Sequence, residues 1–156
     1  MDTKGCQLVV FTIEGQRYAL YLSAVDRIVH AVEVTPLPKA PQIVLGIVNV
    51  QGEIISVVDI RKRFGLSGRE ISPDDHFIIA RTSRRAVALV VDSTTGVIER
   101  VDKEVTAPEK ILPQIGYVAG VVKLEEGLVL IHNLEQFLSL DEEAALASAL
   151  EDASNG

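Results

Sequence analysis

Residues 37–65 read LPKAPQIVLGIVNVQGEIISVVDIRKRFG, and this stretch decides the fold class. It begins inside a segment, residues 35–41, that carries three prolines. Proline supports neither a helix interior nor a central strand, so the segment is predicted to be an ordered loop. Two runs rich in Val and Ile follow, Gly46–Val50 and Ile54–Ile60, on either side of Gln51-Gly52-Glu53. This pattern predicts a β-hairpin.

The pattern around this hairpin is repeated along the chain, and its residue types favour strands. Val and Ile dominate, and β-branched residues pack well on a pleated surface but lose rotamer freedom in a helix. Asp59–Phe64 is predicted to form a short basic helix that ends at Gly65, and Thr106–Pro113 is a second proline-bearing loop. Further strands are predicted at Gln7–Ile13, Arg17–Leu22, Phe77–Ala80, Ala86–Val91, Gly96–Val101, Val118–Leu124 and Leu128–Leu134.

The repetition can be followed residue by residue. A shift of 69 positions places Leu8-Val9-Val10 on Phe77-Ile78-Ile79, and a shift of 74 places Gly46-Ile47-Val48 on Gly120-Val121-Val122. Any two hairpins share alternating hydrophobic residues, so chance similarity is the alternative. The matched order of hairpin, proline loop, glycine hairpin and short helix favours two similar halves. Each half holds about five strands, the number of a small closed barrel.

The tail has a different composition. Ser139 and Glu142 can form a capping box at the start of a helix, and Leu146 and Leu150 then lie on one face. Such a stripe can dock on the body of the protein or on a partner. We expect one domain over residues 1–140, made of halves at about 7–68 and 75–140, and an acidic helix and tail over 141–156.

Composition excludes several classes of protein. The 156 residues include 22 acidic and 15 basic side chains, one Cys and 4% aromatic residues. A single cysteine excludes a disulfide scaffold and fits a reducing compartment. The net charge of −7 argues against binding to nucleic acid. No apolar run is long enough to insert in a membrane, and the first residues lack a signal-peptide pattern, so a cytoplasmic protein is expected.

The residues offer no constellation for catalysis. His30, His76 and His132 are far apart in sequence, and no Ser lies in a nucleophile-elbow motif. His132 lies in an apolar strand, where a satisfied, partly buried imidazole is expected. His76 follows two aspartates, where a weak metal site is possible but a solvated turn is favoured. The sequence therefore predicts no enzyme, no metal and no cofactor, but a binding or scaffolding module.

Leu37–Gly65 resembles the signature of the CheW family, which runs from a proline-containing loop through G-I-x-N-L-R-G to V-V-D-L-R-x-x-F-G. Val90-Val91-Asp92 and the later hairpin at Gly120 also fit. The resemblance extends from about Leu8 to Leu138. It implies a mostly β fold of two intertwined five-stranded SH3-like β-barrels with short helices and a C-terminal helix.

The resemblance also implies a function without catalysis. CheW proteins are chemotaxis adaptors that couple the cytoplasmic tips of methyl-accepting receptors to the histidine kinase CheA, which has its own CheW-like regulatory domain. A cytoplasmic protein recruited to membrane receptor arrays is therefore expected. Two alternatives remain open: an adaptor of a non-flagellar chemosensory pathway with altered partner choice, and a small-molecule-sensing β-barrel module.

The family's receptor-coupling positions carry over to three segments of this chain. Val25, Ile28 and Val97 have the alternative interpretation that they are core residues. Gly46, Gly120 and Asp59 are given structural roles in turns and packing. The implied receptor-binding residues are Val25, Arg27, Ile28, Asn49, Val50, Gln51, Gly52 and Val97.

Two of these positions depart from the family pattern. The family commonly has Glu where this chain has Arg27, and Arg where it has Gln51. A Glu–Arg pair is thereby lost, and at Gln51 a neutral amide replaces a planar cationic group. We expect the fold to tolerate both changes, while the choice of partner is altered.

Overall fold

The structure is a computed structural model that describes residues 5–66, 70–101, 105–106, 118–124, 127–136 and 138–155. Within these ranges it has eleven strands. They are β1 (Gly5–Ile13), β2 (Gln16–Tyr21), β3 (Val25–His30), β4 (Val44–Val50), β5 (Glu53–Val58), β6 (His76–Arg81), β7 (Ala86–Val91), β8 (Ser93–Val101), β9 (Val105–Thr106), β10 (Val118–Leu124) and β11 (Gly127–His132).

The helices are short except for the last. They are α1 (Ile60–Arg63) and α2 (Leu140–Asn155), with 3₁₀ turns at Leu22–Ala24 and Leu134–Gln136. The predicted helix of Asp59–Phe64 is thus one turn, which Asp59 caps by accepting a hydrogen bond from the backbone N–H of Arg61. The second predicted proline loop, Thr106–Pro113, lies beyond Thr106 outside the described residues.

The strands form two sheets, which confirms the mostly β fold class. Sheet A has the order β8-β1-β2-β11-β10-β9, and sheet B has the order β3-β6-β7-β5-β4. Neighbours are antiparallel except for β2 with β11 and β5 with β7, which are parallel. Without the two-residue β9, each sheet has the five strands of a small barrel.

The sheets do not follow the two sequence halves. The hairpin β1–β2 pairs with strands of the second half, and the hairpin β6–β7 pairs with strands of the first half. Each half therefore contributes its first hairpin to the other half's sheet, and the sheets are intertwined. A sequence repeat indicates which residues pair within a hairpin, but it does not indicate which sheet the hairpin joins.

Strand registers reproduce the 69-residue shift. Ile28 on β3 pairs with Ile78 on β6, and Val97 on β8 pairs with Val9 on β1. Both pairs keep the same offset between the halves, so Ile28 and Val97 occupy equivalent positions. The pairings of β3 with β6 and of β1 with β8 also carry a register shift at matching places. Such β-bulges bend a strand and increase its twist.

Three buried clusters account for the long apolar runs. One lies in sheet B, one in sheet A, and a larger cluster takes residues from both sheets. Along β6, Phe77 and Ile79 belong to the sheet B cluster, while Ile78 and Ala80 belong to the shared cluster. Both faces of the strand are buried over residues 77–80, so this run is apolar instead of alternating with polar residues.

Helix α2 docks on the body of the protein. The backbone N–H of Ser139 donates to Glu142 Oε1 at 2.8 Å, and the backbone N–H of Glu142 donates to Ser139 Oγ at 3.1 Å. This is the predicted capping box. Leu146 is fully buried in the shared cluster, and Leu150 packs against it. Glu143 accepts a hydrogen bond from Arg85 Nε at 2.9 Å, which holds the start of the helix.

His132 is more deeply buried than expected, with 2% of its surface exposed. Its ring lies 5.4 Å from that of Phe64, centre to centre, in an edge-on arrangement. Burial, and secondarily the positive charge of Arg63, lowers the pKa of His132 from 6.5 to about 3. The imidazole is therefore neutral in the folded protein over the physiological range.

This lowered pKa predicts a loss of stability in mild acid. Below pH 6.5 the unfolded chain binds a proton at His132 that the folded chain does not bind until about pH 3, so acid favours unfolding. At pH 5 the cost is about 2 kcal/mol. The free energy of unfolding, measured with urea, should fall between pH 7.5 and pH 5 in both proteins. We expect the fall to be about 2 kcal/mol smaller in the His132→Gln variant than in the parent. Equal losses in the two proteins would contradict the assignment.

Candidate functional site

Two predicted receptor-binding residues meet although they come from opposite edges of sheet B. Arg27 lies on β3, and Gln51 lies in the turn between β4 and β5. Arg27 Nη1 donates a hydrogen bond to Gln51 Oε1 at 2.5 Å. Nearby, residues that follow β3 pair with β4 through Thr35 and Ile47, which brings the two edges together. The departures from the family pattern therefore form a pair of their own.

The turn that presents Gln51 is tightly specified. Gln51 and Gly52 have φ of 52° and 89°, the signs that a type I′ hairpin turn requires at both central residues. Glycine adopts this conformation without strain. The side chain of Asn49 supports the turn, because its Oδ1 accepts a hydrogen bond from the backbone N–H of Gly52 at 2.8 Å. Asn49 and Gly52 thus position Gln51.

Charged side chains extend this contact across the sheet end. Arg27 Nη2 lies 3.8 Å from Glu53 Oε1, and Arg81 Nη2 lies 3.2 Å from the same oxygen. Arg81 Nη2 also lies 3.4 Å from Asp26 Oδ2. We call these residues and Gln51 the polar rim: Asp26, Arg27, Gln51, Glu53 and Arg81. Surface ion pairs contribute at most about 1 kcal/mol each to stability, so the rim is better suited to recognition than to holding the fold.

The sequence did not point to three members of the polar rim. These three residues, Asp26, Glu53 and Arg81, stand in three different strands or strand ends, and none is among the positions implied to bind the receptor. The only signal in the sequence is that each is a charged residue at or near the end of an apolar run. Their contact depends on the pairing of β3 with β6 and on the approach of the β4–β5 turn.

Ile28 and Val97 are surface residues. Ile28 is 40% exposed and Val97 is 52% exposed, which argues against the alternative that they are core. Val25 is half-buried and packs against the shared cluster. The two exposed side chains lie on different sheets, at equivalent positions beside the buried strands β6 and β1. Single exposed aliphatic residues are common on protein surfaces, so such a residue indicates a binding site only where it lies beside other residues that bind the partner.

Val50 does not belong to this surface. Its side chain, predicted to be among the receptor-binding residues, is buried in the sheet B cluster. The reason is the alternation of the strand: Asn49 and Gln51 are exposed, and the residue between them points into the sheet interior. Val50 thus anchors the end of β4 in the core, next to the turn.

Gly46 has a packing role that its surroundings explain. A Cβ built on Gly46 would lie 2.2 Å from the backbone oxygen of Thr35 and 2.7 Å from Val34 Cγ1. The backbone of Thr35 exchanges hydrogen bonds with Ile47 at 2.9 and 2.8 Å, so it cannot withdraw without breaking this bridge. Gly120 occupies the matching position beside a bulge in the pairing of β10 with β11.

The described part of the chain offers little for other kinds of site. It brings together no group of three or more His, Cys, Asp or Glu side chains that could hold a metal ion. None of its helices has the length and apolar character needed to cross a bilayer. The interior clusters of both sheets are filled by aliphatic and aromatic side chains.

Comparisons with known proteins agree with this fold. The CheW-like domain family matches residues 7–142. The chain is 28% identical over 144 residues to the chemotaxis protein CheW of Rhizobium meliloti (strain 1021), covering 90% of this chain and 93% of the relative. It is also 28% identical over 148 residues to the chemotaxis protein CheW of Treponema pallidum (strain Nichols), covering 91% and 87%.

A solved structure has the same architecture. The scaffolding protein TtCheW from Thermoanaerobacter tengcongensis matches with a TM-score of 0.80 and 28% sequence identity, covering 89% of this chain and 96% of that one. This likeness confirms the SH3-like fold class. Because the family matches most of the chain and the fold agrees, the chain belongs to the CheW-like family, the non-catalytic adaptors of chemotaxis signalling.

Proposed function

We propose that this chain couples methyl-accepting chemotaxis receptors to the histidine kinase CheA, as a cytoplasmic adaptor recruited to receptor arrays. Membership of the CheW-like family supports the adaptor role. The observation that carries the receptor assignment is the exposed Arg27–Gln51 hydrogen bond, which joins two of the family's receptor-coupling segments on one surface. The kinase would bind through its CheW-like regulatory domain on a separate face.

The surface has the chemistry that a helical receptor tip requires. Ile28 offers an exposed aliphatic contact next to Arg27 in sequence. Because side chains alternate along a strand, the two side chains point to opposite faces of β3. Amphipathic helices are recognised by apolar contacts, while polar groups at the edge set orientation and specificity. Val97 offers an equivalent aliphatic contact on the other sheet.

The polarity of the Arg27–Gln51 contact favours an altered choice of receptor. The family's Glu–Arg pair is neutral, with the cation on the turn. Here the cation stands on β3, and the turn supplies a neutral acceptor for its hydrogen bond. Charge complementarity between two surfaces affects the choice of partner more than it affects the strength of binding. A receptor tip that presents a carboxylate to Arg27 fits this arrangement, as expected for a pathway with its own receptor set.

The proposed coupling predicts an increase in kinase activity that requires all three proteins. The adaptor, its cognate CheA and receptors in membrane vesicles are combined, and transfer of labelled phosphate to the kinase is measured. We expect the adaptor to raise autophosphorylation only when receptor is present. Binding to the kinase with no receptor-dependent increase would refute coupling and leave a kinase-only partner.

The same assay tests the polar rim. The double variant Arg27→Glu with Gln51→Arg restores the family pair, and we expect it to shift preference between cognate receptors and receptors of other CheW pathways. The change in unfolding free energy should stay within about 1 kcal/mol because both groups are at the surface. A matched control swaps the exposed Lys39–Asp152 pair, which lies 3.5 Å apart away from the rim. A large stability loss with unchanged receptor preference would contradict the site assignment.

A further inference from the structure

Two histidines that are far apart in sequence form a cross-strand pair. His30 ends β3, His76 begins β6, and the two residues are directly opposite in the antiparallel register. Their ring centres are 5.0 Å apart, and the ring planes are inclined by 35°. The next pair along, Ala31 and Asp75, is joined by a backbone hydrogen bond of 3.0 Å. In the alternating antiparallel pattern, the pair beside a hydrogen-bonded one has the closer side chains.

This separation is the one that a shared metal ion needs. A metal–nitrogen bond to imidazole is about 2.0–2.1 Å, and the ring centre lies roughly 1 Å further along. Two imidazoles bound to one tetrahedral ion therefore have ring centres about 5 Å apart. The pair in this protein already has that spacing, so an ion could bind with little movement of the strands.

His76 provides a second, independent indication of a ligand. Its Nδ1 is buried and has no hydrogen-bond partner among the described residues. Buried polar atoms of this kind are uncommon in folded proteins. A cation bound at Nδ1 of His76 would give this atom a partner, since either ring nitrogen of an imidazole can serve as a metal ligand. His30, by contrast, is exposed and gives access from solvent.

We infer that His30 and His76 form a two-histidine site for a divalent transition metal of the Zn²⁺, Ni²⁺ or Cu²⁺ class. Neutral imidazoles favour these ions, whereas Ca²⁺ and Mg²⁺ prefer oxygen ligands. Two protein ligands leave coordination positions for water or for a side chain of a bound partner. The bound ion would link β3 to β6 at His30, two residues from Ile28. The proposed metal site does not depend on the proposed adaptor function.

Titration of the tag-free, full-length protein tests this site. ZnCl₂, NiCl₂ and CuCl₂ are added separately and followed by calorimetry, with MgCl₂ as the hard-cation comparison. We expect one equivalent of at least one transition metal to bind and to raise the melting temperature with concentration, as linkage requires. Imidazole ¹⁵N spectra should show Cu²⁺ broadening at His30 and His76 but not at the buried His132.

Variants decide the outcome. His30→Ala replaces an exposed residue and should weaken binding at least about tenfold, because a single imidazole loses the chelate. His76→Ala should weaken metal binding to the same extent if the protein folds. Glu33→Gln serves as the matched control, because Glu33 is an exposed carboxylate near the end of β3. No binding at one equivalent, or equal affinity in the His30→Ala variant and the parent, would overturn the proposal.

Discussion

Replacing Arg61 by Met is expected to lower the free energy of unfolding by about 2–4 kcal/mol. Arg61 Nη1 donates to Glu14 Oε1 at 2.9 Å, and Arg61 Nη2 donates to Asp92 Oδ1. The Arg61 side chain is only 4% exposed, whereas those of Glu14 and Asp92 are 45% and 30% exposed. Removing one partner of a buried ion pair costs about 3–5 kcal/mol, and the solvent around the carboxylates reduces this figure.

The position of Arg61 explains why so much depends on one side chain. It lies in α1, directly after sheet B, while Glu14 lies in the β1–β2 turn of sheet A. The backbone N–H of Glu14 also donates to Asp92 Oδ2 at 2.8 Å, so Asp92 holds both the turn and the guanidinium. Met keeps the apolar stem of Arg but leaves two neighbouring carboxylates without their shared cation.

Urea unfolding followed by circular dichroism measures this loss. Lys62→Met is the matched control, because Lys62 is exposed and adjacent in the same helix. A double-mutant cycle with Asp92→Asn should give a coupling energy of about 1 kcal/mol or more. If the Arg61 and Lys62 variants unfolded with the same free energy, the buried network would not stabilise the junction between the sheets.

The second half has a counterpart with different chemistry. Glu135 lies 74 positions after Arg61, and Ser83 lies 69 positions after Glu14. Glu135 Oε1 accepts from the backbone N–H of Ser83 at 2.6 Å, and Glu135 Oε2 accepts from Ser83 Oγ at 2.7 Å. A side chain just after the last strand of each sequence half therefore holds the turn of the hairpin that the same half contributes to the other sheet. The exchange of hairpins is fixed at equivalent points by an ion pair in the first half and by hydrogen bonds to a carboxylate in the second.

The hairpins could be predicted from sequence, but the burial of particular charges could not. Alternation, glycine turns and prolines are local signals, and they located most strands to within a few residues. Arg61 has two basic neighbours, and such a run normally indicates solvated or protein-facing charge. Its burial follows from the packing of α1 against a turn 47 positions away, and no local pattern encodes that contact.

The candidate site divides in the same way. The departures at Arg27 and Gln51 were visible in the sequence, but they were interpreted as the loss of a pair. The structure shows a hydrogen bond between them, because the amide oxygen of Gln51 can accept a hydrogen bond from the guanidinium of Arg27. His30 and His76 give no joint signal in the sequence because they lie 46 positions apart, and only the pairing of β3 with β6 brings the rings together.

Substituting Gly46 by Ala is expected to lower the free energy of unfolding by about 3 kcal/mol or more. The new Cβ would lie 2.2 Å from a backbone oxygen, and backbone cannot move aside as the end of a flexible side chain can. The φ of Gly46 is +155°, a conformation that side chains disfavour, so strain adds to the clash. Relief requires moving Thr35 away from Ile47, which breaks two hydrogen bonds.

Gly52→Ala separates the clash from the backbone preference. Gly52 also has a positive φ, of 89°, but no atom lies within 4 Å of a Cβ built there. Its substitution should cost only about 1–2 kcal/mol, the penalty for a left-handed residue. If the Gly46→Ala variant folds too poorly for urea titration, comparing its melting temperature with that of Gly52→Ala still shows which substitution destabilises the protein more. Equal losses would mean that the Thr35 carbonyl yields freely and that Gly46 is required only for its φ.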